Sequence, residues 1–107
     1  MMSRSVGRSL DDTFQLLSAD ARRQLLFALL EREPLDPEAA VTPGAGGIED
    51  AREARIKLRH VHLPKLEAAG FLAWDREAGE IRRGPEFEEV SRLLELLDEH
   101  DDRFTNT

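Results

Sequence analysis

Leu58 to Arg83, LRHVHLPKLEAAGFLAWDREAGEIRR, constrains the fold more than any other stretch of the chain. His62 to Ala69 reads as the last turns of a helix, and Gly70 falls at the left-handed position that follows a helix end, where a Cβ atom is penalised. Phe71-Leu72-Ala73-Trp74-Asp75 alternates like a strand, Arg76-Glu77-Ala78-Gly79 supplies a turn, and Glu80-Ile81-Arg82-Arg83 returns as the partner strand. The chain must therefore accommodate a helix that runs straight into a short basic hairpin.

The 107 residues suit one domain with a single hydrophobic core. Five Phe, one Trp and no Tyr leave most of that core to Leu, Ala, Val and Ile. The absence of cysteine excludes disulfides, thiolate catalysis and cysteine-ligated zinc. No apolar run approaches the ~20 residues of a membrane span. Residues 1–8 read as a disordered leader without the apolar segment of a signal peptide, which predicts a cytoplasmic location.

Charge is the feature that cuts both ways. The net charge of −7 argues against a nucleic-acid partner. Between Arg52 and Lys65, however, five basic residues (Arg52, Arg55, Lys57, Arg59, Lys65) face one acid, Glu53, a local +4 that leaves −11 on the rest of the chain. Only two of the 15 basic residues are lysine. An acidic, lysine-poor, arginine-retaining chain resembles proteins of salt-loving cells; an ordinary acidic protein is the alternative.

Ser9 or Asp11 can cap a first helix with Leu10, Phe14 and Leu17 on its apolar face. Ser18 suits the N-cap of a second helix, Ala19 to Glu33, whose Leu25, Leu26, Leu29 and Leu30 make it the central core helix; Pro34 stops it. Asp36-Pro37 starts a short helix, and 42–47 is a glycine-rich loop. A long helix then runs from about Glu49 or Asp50 to Ala69, with Ala51, Ala54, Leu58 and Val61 as its apolar stripe. Pro64 predicts a kink or break near His62. Pro85 fits the first turn of a last helix reaching about Asp102, on which Phe87, Val90, Leu93, Leu94 and Leu97 form a stripe wide enough for a dimer interface. The fold class that follows is mainly α with a small β-hairpin, a winged helix-turn-helix over residues 9–104. The short helix and long loop ahead of the main helix depart from the ordinary form.

HVHLPKLEAAGFLAWD resembles the signature of small winged-helix domains of unknown function from halophilic archaea, centred on HLPKL, an acidic residue and Ala-Gly. The same landmarks, with Ser18-Ala19-Asp20-Ala21-Arg22-Arg23 upstream, are similar to those of ArsR-type regulators. The resemblance covers about residues 10–83 and implies the fold more than any activity. It brings no metal sensing, since the cysteines of ArsR sensors are absent.

Arg52, Arg55 and Arg59 recur on one side of the long helix, suited to phosphate and base-edge contact or to pairing with nearby carboxylates. His60 and Lys65 extend that candidate DNA-binding set, and Arg76, Arg82 and Arg83 add the hairpin, where Asp75, Glu77 and Glu80 could neutralise them. His60 and His62 point about 200° apart on a helix, so they do not make a metal pair; His62 is expected to hydrogen-bond locally at the helix–hairpin corner. Trp74 is expected to pack under the hairpin. No nucleophile–base pair, phosphate loop, metal motif or cofactor site is visible, so no enzyme is expected. The reading is a homodimeric DNA-binding regulator that lays helix 50–69 in the major groove, with 71–83 as the wing and helix 85–102 across the two-fold axis. A winged-helix module that binds another protein is the alternative.

Overall fold

The structure is a computed structural model that describes residues 9–41 and 47–105. The leader expected over 1–8 and most of the glycine-rich loop lie outside the described residues. The molecule is mainly helical, with one two-stranded antiparallel hairpin. Among the described residues no helix is long and apolar enough to cross a membrane.

Helix α1 (Leu10–Leu16) is capped by Ser9, whose Oγ accepts a hydrogen bond from the Asp12 amide at 3.1 Å. Its expected apolar face is not buried. Leu10 and Phe14 are 64% and 47% exposed, and only Leu17, just past the helix, enters the core. Helix α2 (Asp20–Glu31) starts later than expected, because the Ser18 hydroxyl bonds back to the Gln15 carbonyl instead of capping forward. Leu25, Leu26 and Leu29 of α2 are fully buried, which makes it the central helix as its sequence predicts. Leu35 follows in extended form and exchanges two backbone hydrogen bonds with Ile81, adding one rung beside the hairpin.

Helix α3 (Pro37–Ala40) is one turn long. Asp36 caps it by accepting from the Glu38 amide at 2.9 Å, and Pro37 occupies its first turn. Helices α4 (Ile48–Lys57) and α5 (Leu63–Ala68) form one rod, joined by a π-helical turn at Leu58–His62. Pro64 has no amide hydrogen, and its ring would strike the His60 carbonyl in a regular helix. The wider turn, in which the Leu63 amide bonds to the Leu58 carbonyl, resolves this without breaking the rod. The widening also rotates the stripe. Leu58, Leu63 and Leu66 are buried, Ala51 and Ala54 are half-buried, and Val61 turns outward.

The rod ends as its sequence predicts. Gly70 has φ +81°, its amide bonds to the Glu67 carbonyl, and the Phe71 amide bonds to the Leu66 carbonyl. Strands β1 (Leu72–Asp75) and β2 (Glu80–Arg83) pair Leu72 with Arg83 and Asp75 with Glu80. The Asp75 carboxylate holds the turn by accepting from the Glu77 and Ala78 amides, both at 3.1 Å. Gly84 then passes so close to the Gly70 carbonyl that a side chain has no room.

Helix α6 (Phe87–Thr105) begins two residues after Pro85, which sits in the preceding turn and not in the helix. Its apolar stripe corrects the expected dimer interface. Phe87, Val90 and Leu94 are buried in the chain's own core with Leu25, Leu26 and Ile81, and Leu93 and Leu97 are half-buried against it. The stripe is that wide because α2 and the base of the hairpin both need covering. Leu96, 64% exposed, is the outward apolar residue of the described part of α6.

Candidate functional site

One side of the rod carries its three arginines and His60. The outer face of α4 and the π turn presents Arg52, Arg55, Ile56, Arg59 and His60, all exposed, around a shallow depression of about 370 Å³ that Glu38 also borders. Arg59 and His60 continue into a deeper groove of about 660 Å³ between α3, the rod and the hairpin turn. Leu58, Leu63 and Pro64 line the groove from the rod, and Trp74 and Arg76 line it from the hairpin. Four of the predicted residues, Arg52, Arg55, Arg59 and His60, thus share one face, with Arg76 across the groove.

Their electrostatic states differ. Among the described residues, Arg52, Arg55 and Lys65 have no carboxylate partner and are exposed. Arg59 is held by Glu38, whose Oε2 accepts from Nε at 2.9 Å and from Nη2 at 2.7 Å. Arg76 pairs with Glu67 at 3.2 Å and lies over the Trp74 ring, 4.0 Å from its centre. Trp74 is accordingly half-buried along the groove and not packed wholly beneath the hairpin. Arg82 is exposed, with Glu80 at 4.0 Å.

Arg83 requires a correction. Its Nε donates to the Leu29 carbonyl at 2.7 Å and Nη2 to the Leu30 carbonyl at 3.3 Å, and its Nη1 lies 3.6 Å from Glu33. It caps the end of α2 and is not a free wing cation. Strand alternation explains this: Arg83 lies on the same face of β2 as buried Ile81, whereas Arg82 points the other way.

Two arginines not predicted as sites do similar work. Arg22, only 8% exposed, donates to the carbonyls of Leu16 (2.7 Å) and Gln15 (3.4 Å), and Arg23 donates to that of Leu17 at 2.6 Å. Together they close the end of α1 and explain the Arg-Arg pair physically: the last carbonyls of a helix need donors. Arg22 Nη1 also lies 3.3 Å from His62 Nδ1. His62 therefore bonds to a residue 40 positions away, not locally as its place in the sequence suggests. That contact suits an unprotonated Nδ1 and disfavours a metal there. No cluster of three or more metal-ligating side chains occurs among the described residues.

Burial holds the His62 imidazole below its ordinary pKa, and the charges of Arg22, Lys57 and Lys65 push it the same way. The unfolded chain therefore takes up a proton that the folded chain refuses, and stability falls as the pH drops below about 6.5, the free histidine value. Urea unfolding midpoints measured from about pH 7.5 down to about pH 5 should decline. His62→Gln should flatten that decline; equal pH dependence in wild type and variant would dismiss His62 as its source.

No curated protein and no solved structure matches the chain. A family model does match, over residues 14–82, from the exposed end of α1 to the second strand of the hairpin. That span includes the arginine pair, the π turn with its two histidines, the basic face and the groove, and on it the chain belongs to the family described as a domain of unknown function, DUF7344.

Proposed function

We propose that the protein is a winged helix-turn-helix DNA-binding protein, a cytoplasmic transcriptional regulator that presents the rod 48–68 to the major groove. The order of elements supports the fold: a central helix, the extended Leu35 beside Ile81, a short helix, the rod and a hairpin. One observation carries the function. A chain with net charge −7 gathers Arg52, Arg55 and Arg59 with exposed Ile56 and His60 on a single helical face. Arginine suits guanine edges and phosphates, and an apolar side chain among them suits a thymine methyl. Across the groove, Arg76 on the hairpin would meet the backbone, and exposed Arg82, on the other face of the hairpin, is a second candidate. As a homodimer the protein would pair through apolar side chains that its own core leaves at least partly exposed, among them Leu93, Leu96 and Leu97 on α6 with Leu10 and Phe14 on α1.

The exposed Leu10 and Phe14 also favour a second reading, a module that docks on another protein and never touches DNA. Fluorescence anisotropy on a labelled mixed-sequence duplex separates the two. If Arg52, Arg55 and Lys65 each meet a phosphate, log affinity should fall with log salt at a slope of about −2.7 per protomer. A protein that ignores the duplex even at low salt is the interaction module.

A further inference from the structure

Glu38 and Arg59 form the shortest ion pair among the described residues, and it lies on the basic face itself. Two donors of one guanidinium converge on a single carboxylate oxygen, from a helix 21 positions away in sequence. Other pairs are looser: Arg76–Glu67 at 3.2 Å, Arg23–Asp20 at 3.4 Å and Arg82–Glu80 at 4.0 Å. Glu38 is well anchored for this. Asp36 holds its amide, and buried Pro37 precedes it in the first turn of α3. Its side chain borders the depression on α4, the deeper groove beside the hairpin and a small cleft between α3 and α4. Among the described residues its carboxylate pairs with Arg59 and with neither Arg52 nor Arg55.

Resting on the DNA-binding reading above, we propose that Glu38 is a specificity-determining residue that holds Arg59 back from indiscriminate phosphate contact. A phosphate oxygen and a carboxylate oxygen offer the guanidinium similar partners, so exchanging one for the other gains little, and it strands Glu38 beside the DNA backbone, where like charges repel. A guanine edge offers O6 and N7 together, a two-point match for the arginine fork without a full negative charge next to Glu38. Nε and Nη2 of Arg59 stay on Glu38, and its remaining N–H groups can meet a guanine edge without breaking the ion pair, whereas a phosphate there sets a second full negative charge beside the carboxylate. The carboxylate lowers affinity for DNA in general and widens the margin between a guanine-bearing target and the rest.

Glu38→Gln on the full chain tests this, with anisotropy on the same mixed-sequence duplex across salt. Freeing one phosphate contact should steepen the salt slope by about 0.9 per protomer, so the advantage of the variant over wild type should grow about eightfold per protomer between 1 M and 0.1 M salt. Arg59→Ala should cancel the steepening when combined with Glu38→Gln, which a general loss of negative charge would not allow. Circular dichroism of each variant checks that the fold is kept. Wild-type binding with an unchanged slope in Glu38→Gln overturns the role of Glu38 and leaves the DNA-binding reading standing. No binding by any of the proteins overturns both.

Discussion

Leu94→Glu should unfold the protein. Leu94 is fully buried between α6 and the core, so the glutamate carries an unpaired charge into an apolar site at several kcal/mol. Losing the leucine packing adds about 2–5 kcal/mol. Together these match or exceed the 5–15 kcal/mol of an ordinary domain at its lower end, so the cooperative thermal transition should be lost or displaced far downward. Leu96→Glu, on the exposed side of the same helix, should leave the fold of the single chain within about 0.5 kcal/mol of wild type. A folded, merely monomeric Leu94→Glu protein in light scattering and circular dichroism would show that α6 turns its stripe outward after all.

On the proposed DNA-binding reading, replacing Arg52 and Arg55 together by alanine should weaken specific binding by about 2–6 kcal/mol, since each arginine fork withdrawn from a base edge is worth ~1–3 kcal/mol. Both side chains are exposed and have no carboxylate partner among the described residues, so the melting temperature should hardly change. The weakening should persist near 1 M salt, where the Debye length is ~3 Å and only short-range interactions remain. Arginine's planar fork is better suited to these than a lysine ammonium, in keeping with a basic face built from three arginines. Genome-wide binding followed by affinity measurement on the best target checks this. A double variant as tight as wild type would exclude the outer face of α4 as the reading surface.

Most local signals were legible, although Ser18 bonds backward instead of capping α2 and Pro85 precedes the last helix instead of starting it. Ser9, Asp36, Pro37 and Gly70 cap, start or end helices through bonds that span at most a few residues, and each does so in the structure. The hairpin follows from alternation and its turn, and Leu25, Leu26 and Leu29 from helical period. The candidate face was legible too, because Arg52, Arg55 and Arg59 sit in one helix whose period places them together.

What the sequence determined by itself is therefore the elements, most of their caps and the composition of the basic face. Tertiary structure decided the rest. The stripe of α6 could serve either a core or a partner, and only the position of α2 and the hairpin turned Phe87, Val90 and Leu94 inward. Arg83 became a helix cap because β2 lies against the end of α2, where the Leu29 carbonyl is 54 residues earlier in the chain; Arg22 found His62 across the molecule, and Glu38 found Arg59. Those pairings depend on how elements pack in space, and spacing along a chain carries no record of which distant carbonyl or carboxylate a guanidinium will meet.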